Sequence, residues 1–155
     1  MAAPPRARTP QAVLFACGFN SVRSPMAESL LQQMFPHALY VKSAGVRKGE
    51  LDPFAVAVMA ELGQDISRHK PMTFEELEDW EGLNFDLIIT LSPEAHHKAL
   101  KLTHTLAADV EYWPTPDPTG TEGSREQKLQ AYREVCDTLL LRIRRRFSKV
   151  AAASG

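Results

Sequence analysis

The chain has 155 residues, 18 Lys+Arg against 19 Asp+Glu for a net charge of -1, and a composition that is 44% hydrophobic and 8% aromatic. One domain's length with enough apolar residues for a core excludes intrinsic disorder and a second folded unit. Balanced charge offers no global field for nucleic acid or an anionic membrane, so any anion site has to be local.

Residues 1–11 carry prolines and arginines but no apolar stretch of the kind a secretion signal needs. No run approaches the roughly 18 apolar residues of a membrane helix. The expectation is a cytoplasmic protein with no membrane partner, made of a loose segment 1–11, a domain 12–148 and a tail 149–155. Cys17 and Cys136 lie too far apart in sequence for a disulfide framework or a zinc spacing, so each thiol needs its own account.

Apolar β-prone runs occur at 12–16, 39–41, 85–91 and 110–113, each followed by a helical segment. Three helices are announced by a capping residue and a proline, at Ser24-Pro25, Asp52-Pro53 and Ser92-Pro93, where the missing N–H is one that the first turn would leave unpaired anyway. Gly63 closes the second of them. Thr73 with Glu76, and Ser124 with Gln127, make capping boxes for a short helix and for the last and longest one. The last helix carries apolar positions 129, 132, 136, 139, 140, 143 and 147 on one stripe. Four short strands with intervening helices predict an α/β fold, a parallel sheet covered on both faces and joined by right-handed crossovers. Ligands in such folds sit at the carboxyl edge of the sheet, where loops 17–24 and 114–123 emerge.

The first strand runs directly into Cys17-Gly18-Phe19-Asn20-Ser21-Val22-Arg23-Ser24, and Pro25 follows inside a helix. A loop turning from strand to helix directs backbone N–H groups inward, and the helix N-terminus adds positive charge, so an oxyanion binds there. Arg23 adds a planar fork for two oxygens, and the same positive features favour a thiolate on Cys17. Cys-x5-Arg alone is a weak signal, but its position between a strand and a helix supplies the context that the chemistry requires. Asp117-Pro118 lies in a proline-rich loop at the same edge. Unlike Asp52, Asp117 has no capping duty in the sequence reading, which makes it the candidate general acid. Asn20 tolerates the left-handed backbone of an inward-curling loop, and Ser24 can cap its helix while hydrogen bonding the thiolate.

These segments resemble the low-molecular-weight protein tyrosine phosphatases and the related arsenate reductases. The resemblance extends over Cys17 to Glu28, Ser43-Ala44-Gly45, Asp52-Pro53, 65–69, 85–89 and Asp117-Pro118. It implies a three-layer, flavodoxin-like fold with strand order 2-1-3-4, Cys17, Arg23 and Asp117 as catalytic residues, and phosphate held by loop residues 18 to 24. It also implies a network behind the loop formed by Asn20, Ser24, Ser43 and His69. The chain departs from the family by carrying Phe19 in place of glycine, with Gly18 before it. It also carries Thr119-Gly120 after the acid and Val46-Arg47-Lys48 after Ser-Ala-Gly, where aromatic residues are common in members acting on tyrosine. Phe19 or Trp113 is left to supply ring contacts.

The reading that follows is a phosphomonoesterase acting through phosphocysteine on phosphotyrosine in proteins or on small aryl phosphates, with no cofactor and no metal. Inorganic phosphate or arsenate would be oxyanion ligands. The first alternative is an arsenate reductase resolved by an external thiol; the second, from another class, is a non-catalytic phosphate- or phosphoprotein-binding module. Cys136 reads as a buried hydrophobe, His96-His97 as a solvated helix face, and Arg142 with Arg144 to Arg146 as cations at a helix C-terminus, without nucleic-acid binding.

Overall fold

The computed structural model describes residues 9–104 and 106–149; most of the expected terminal segments lie outside the described residues. Four parallel strands, β1 (Ala12–Cys17), β2 (Tyr40–Gly45), β3 (Leu87–Thr90) and β4 (Asp109–Tyr112), form one sheet in the order β2-β1-β3-β4. The predicted topology is therefore the observed one. Its register places Cys17 beside Gly45, Ala16 beside Thr90, and Thr90 beside Tyr112, so the strands end together at one edge.

Strand alternation divides the core. Val13, Phe15 and Cys17 face one side with α1 (Arg23–Met34), α2 (Pro53–Glu61) and α5 (Arg125–Arg146). Leu14 and Ala16 face the other with α3 (Phe74–Glu81) and α4 (Pro93–Leu102). Phe15, Met26, Leu31, Leu139 and Ile143 are fully buried in the first layer, each contributing about 1.5–3 kcal/mol by leaving water. Cys136 lies in this layer on the predicted stripe, its Sγ 3.8 Å from Met59 Sδ.

Both capping boxes are formed, and Asp52 and Ser92 cap α2 and α4 as expected. Gly63 takes φ 76° just beyond α2. The first helix differs from the expectation: it begins at Arg23 with Val22 at the N-cap and no side-chain cap. Ser24 does not cap it, because its hydroxyl is drawn to Cys17 and Asn20. Strand limits differ too: β2 runs on to Gly45, where the run of Lys42, Ser43 and Ala44 pairs with β1, while β3 contracts to four residues. His97 is exposed, but His96 is not simply solvated: its ring stacks on Tyr112 and its Nδ1 lies 2.9 Å from Thr90 Oγ1. Trp113 packs edge-on to Phe15 in the core, which leaves Phe19 as the ring near the loop.

Candidate active site

The loop after β1 is held from outside by the segment after β2. Val46 N donates to Cys17 O, Arg47 N to Gly18 O, Gly49 N to Phe19 O and Asp52 N to Ser21 O, at 2.9 to 3.2 Å. In a planar trans peptide the N–H following each carbonyl points the opposite way. With these carbonyls turned outward, the N–H groups of Gly18, Phe19, Asn20 and Val22 turn toward the inner face of the loop. Gly45 makes this contact possible: a Cβ there would stand 2.6 Å from Arg47 O and 2.9 Å from Asn20 N. Only glycine lets the two backbones approach.

Asn20 holds the curl. It has φ 58°, the left-handed conformation expected for it, and is completely buried. Its Nδ2 donates to Ser24 Oγ at 2.8 Å and to Ser43 Oγ at 2.9 Å, and its Oδ1 accepts from Met72 N at 3.0 Å and lies 2.9 Å from His69 Nε2. An amide oxygen only accepts, so His69 Nε2 carries the hydrogen. Every donor and acceptor of Asn20 is thereby used, as a buried polar side chain requires.

These hydrogen bonds join Asn20, Ser24, Ser43 and His69 behind the loop and extend to one residue that the sequence reading missed. Ser43 donates to Glu28 Oε1, and His69 Nδ1 faces the same oxygen at 3.8 Å. Burial pushes the Glu28 carboxyl above its ordinary range, against the opposing pull of the Ser43 hydroxyl and the Lys42 charge. Burial likewise holds the His69 imidazole below its usual value, although its bond to Asn20 acts in the opposite direction. Both shifts disfavour the charged forms. Glu28 lies one helical turn beyond Ser24, the i to i+4 spacing that places both on one face of α1, and this was the signal available in the sequence.

Arg23 is mostly buried; its Nη1 donates to Thr115 O at 3.0 Å and its Nη2 lies 3.9 Å from Asp117 Oδ2. Thr115 contributes only backbone, which no residue pattern could reveal. Asp117 is about half exposed, and contrary to the sequence reading it does cap: Oδ1 accepts from Thr119 N and Thr119 Oγ1, at the start of a 3₁₀ turn at Pro118–Gly120. One carboxylate oxygen is occupied with the turn while the other faces Arg23. Asp52 also does more than cap α2, since its Oδ2 accepts from Tyr132 of α5 at 2.6 Å. Burial and that bond raise the Tyr132 phenol's pKa.

At the rim, the Phe19 ring is 48% exposed and the Arg47 guanidinium lies 5.3 Å from its centre, held by Glu94. Lys48 pairs with Glu76 beside it. Val22 is buried, and Ser21 is half-buried with its hydroxyl toward Phe19 O.

The sequence pattern of the low molecular weight phosphotyrosine protein phosphatases matches residues 12–153. The chain belongs to that family. It is 34% identical over 134 residues to an arsenate reductase of Bacillus licheniformis, covering 86% of this chain and 92% of the relative. An arsenate reductase of Bacillus subtilis is 33% identical over 128 residues, or 82% and 88% of the two chains. Two solved structures are similar at 27% identity. One is an arsenate reductase in a phosphate-binding state, with TM-score 0.68 over 90% of this chain and 98% of the other. The second is a low-molecular-weight protein tyrosine phosphatase of T. tengcongensis, with TM-score 0.72 over 90% and 99%. The protein is thus an enzyme of this family, a phosphatase or an arsenate reductase. No helix among the described residues is long and apolar enough to cross a membrane.

Proposed function

We propose that the chain hydrolyses phosphomonoesters, protein phosphotyrosine or a small aryl phosphate, through a phosphocysteine on Cys17. The observation that carries this reading is the pairing of Arg23 with Asp117 at the sheet edge where Cys17 ends β1. Cys17 Sγ attacks phosphorus, the S–P bond forms as the P–O bond breaks, and the inward N–H groups with Arg23 hold the equatorial oxygens. Asp117, through the oxygen not taken up by the turn, protonates the departing oxygen and then takes a proton from the water that hydrolyses phosphocysteine. Phe19 offers an exposed ring face to an aryl group.

A second reading, arsenate reduction, is favoured by the curated relatives, which support it more directly than they support phosphotyrosine. Cys17 would attack arsenic with loss of water. An external thiol would then attack Cys17 sulfur, releasing arsenite and leaving a mixed disulfide that a second thiol reduces; two thiols become one disulfide as arsenate gains two electrons. The reductant has to come from outside. Cys136, the other cysteine, is buried against Met59, and burial pushes its thiol up to about 11.

Phosphate release from an aryl phosphate and thiol-dependent arsenate reduction, assayed on one preparation with Cys17→Ser as control, separate the two. Turnover of the ester alone supports the first reading, and turnover of arsenate alone replaces it with the second. Silence in both, with phosphate still bound, leaves a binding module. Cys17→Ser should abolish either activity and retain oxyanion binding; wild-type hydrolysis by that variant would remove the covalent mechanism.

A further inference from the structure

The arginines that close α5 are not all accounted for by helix termination. Arg142, Arg145 and Arg146 line a groove of about 460 Å³ with Tyr112, Trp113 and Pro114 on its other wall. Arg146 is neutralised by Glu111 at 2.8 Å. Among the described residues, half-buried Arg142 and exposed Arg145 have no carboxylate partner, so the groove carries uncompensated positive charge.

The opposite wall is a strand edge. The N–H groups of Asp109, Trp113 and Thr115 are directed to carbonyls of 86, 90 and 91 on the β3 side. By the two-residue alternation of a ladder, the backbone groups of Val110 and Tyr112 turn away from β3, along an edge of the sheet that no other strand among the described residues covers. Pro114 ends that edge, having no N–H to offer. The next residue, Thr115, is the one whose carbonyl holds Arg23.

We infer that this groove docks an extended, acidic polypeptide segment of a protein substrate. This deepens the hydrolytic reading and rests on it. Charge complementarity selects the acidic chain: its carboxylates meet Arg142 and Arg145, which present the paired donors suited to them. The strand edge selects a polypeptide over other polyanions, because only a peptide backbone answers the outward N–H and C=O of Val110 and Tyr112. Continuity through Pro114 to Thr115 leads such a chain toward the residues that hold the phosphate.

The test uses the full chain and a fluorescent, unphosphorylated peptide rich in Glu and Asp, followed by anisotropy. Arg142→Gln with Arg145→Gln should weaken binding about tenfold, and added salt should weaken it in the parent. Arg144→Gln, a charge on the same turn that does not line the groove, should change it less than about twofold. Turnover of a small aryl phosphate should be the same in all variants, which also reports that they fold. Each arginine changed singly gives an intermediate loss. Equal weakening by Arg144→Gln would assign the effect to bulk charge and overturn the proposal. Polyphosphate, single-stranded RNA or anionic vesicles binding the arginines as tightly as the peptide would overturn it as well. In a phosphotyrosine peptide, an attached acidic tract should lower KM in the parent and not in the double variant. Peptide binding without hydrolysis would defeat the hydrolytic reading and leave the groove; hydrolysis indifferent to both tract and variants would defeat the groove alone.

Discussion

Ser24 Oγ lies 2.9 Å from Cys17 Sγ, in a hydrogen bond for which either atom can be the donor. Asn20 Nδ2 donates to Ser24 Oγ. When Cys17 is a thiolate its sulfur can only accept, so the single hydroxyl hydrogen of Ser24 points at it and stabilises the thiolate both as nucleophile and as leaving group. A hydrogen bond to a charged group is worth about 1.5–3 kcal/mol, so Ser24→Ala should slow turnover by about 10- to 100-fold. Alkylation of Cys17 by iodoacetate, followed at fixed pH, should slow with it. Unchanged rates in both measurements would place the Ser24 contact outside the chemistry.

Arg23 donates to Thr115 O and, in the proposed mechanism, holds phosphate oxygens as well, which a planar fork can do and a point charge cannot. Arg23→Lys should lose affinity for phosphate and vanadate together with turnover. A variant matching the parent in inhibition constant and rate would show that the fork geometry is irrelevant.

Asp117 holds the turn and, in the proposed mechanism, also supplies the proton, so the substitution has to separate the two. Asparagine keeps an oxygen for Thr119 and removes the acid. Asp117→Asn should therefore slow phenyl-type esters much more than activated nitrophenyl esters, by about 10²- to 10⁴-fold at most, with little change in phosphate binding. Equal slowing of good and poor leaving groups would assign Asp117 to the 3₁₀ turn alone.

His69 links stability to pH. Burial holds its folded pKa below the ordinary 6.5, so below that pH the unfolded chain takes a proton that the folded one refuses. Its contribution is present above 6.5 and is lost as pH falls toward the folded value. Glu28 has the opposite slope, because a raised carboxyl favours the folded state at low pH and loses that advantage as pH rises above 4.5. His69→Gln preserves an N–H for Asn20 and removes one slope only. Urea unfolding at about pH 7.5 and about pH 5.5 should show a smaller acid loss of stability in the variant than in the parent. An identical loss in both would remove His69 from the linkage.

The form of the loop after β1 was legible because its backbone is written in its residues: Cys17 at a strand end, Asn20 where φ is positive, Arg23 at the helix start. Capping boxes at Thr73 and Ser124 were legible for the same reason, being local bonds across three residues. Ser24 was misread as a cap because a hydroxyl beside a helix has two possible partners, and which one wins depends on where Asn20 and Cys17 come to lie. Asp117 was misread as free because the 3₁₀ turn that it caps is too short to leave a periodic signal.

The sequence by itself determined the strand-helix order, the helix starts at Asp52, Thr73, Ser92 and Ser124, and the left-handed turn at Asn20, all of which depend on neighbours a few positions away. Tertiary structure decided the rest. Glu28 joins Ser43 across 15 positions, Asp52 reaches Tyr132 across 80, and Arg23 reaches Thr115 across 92. The outward pull on the loop carbonyls comes from a different strand's trailing segment, and it works only because Gly45 lacks a Cβ. Contacts at such separations form when the parallel sheet brings its carboxyl ends into one register, and no local pattern of residues encodes a backbone carbonyl's eventual partner.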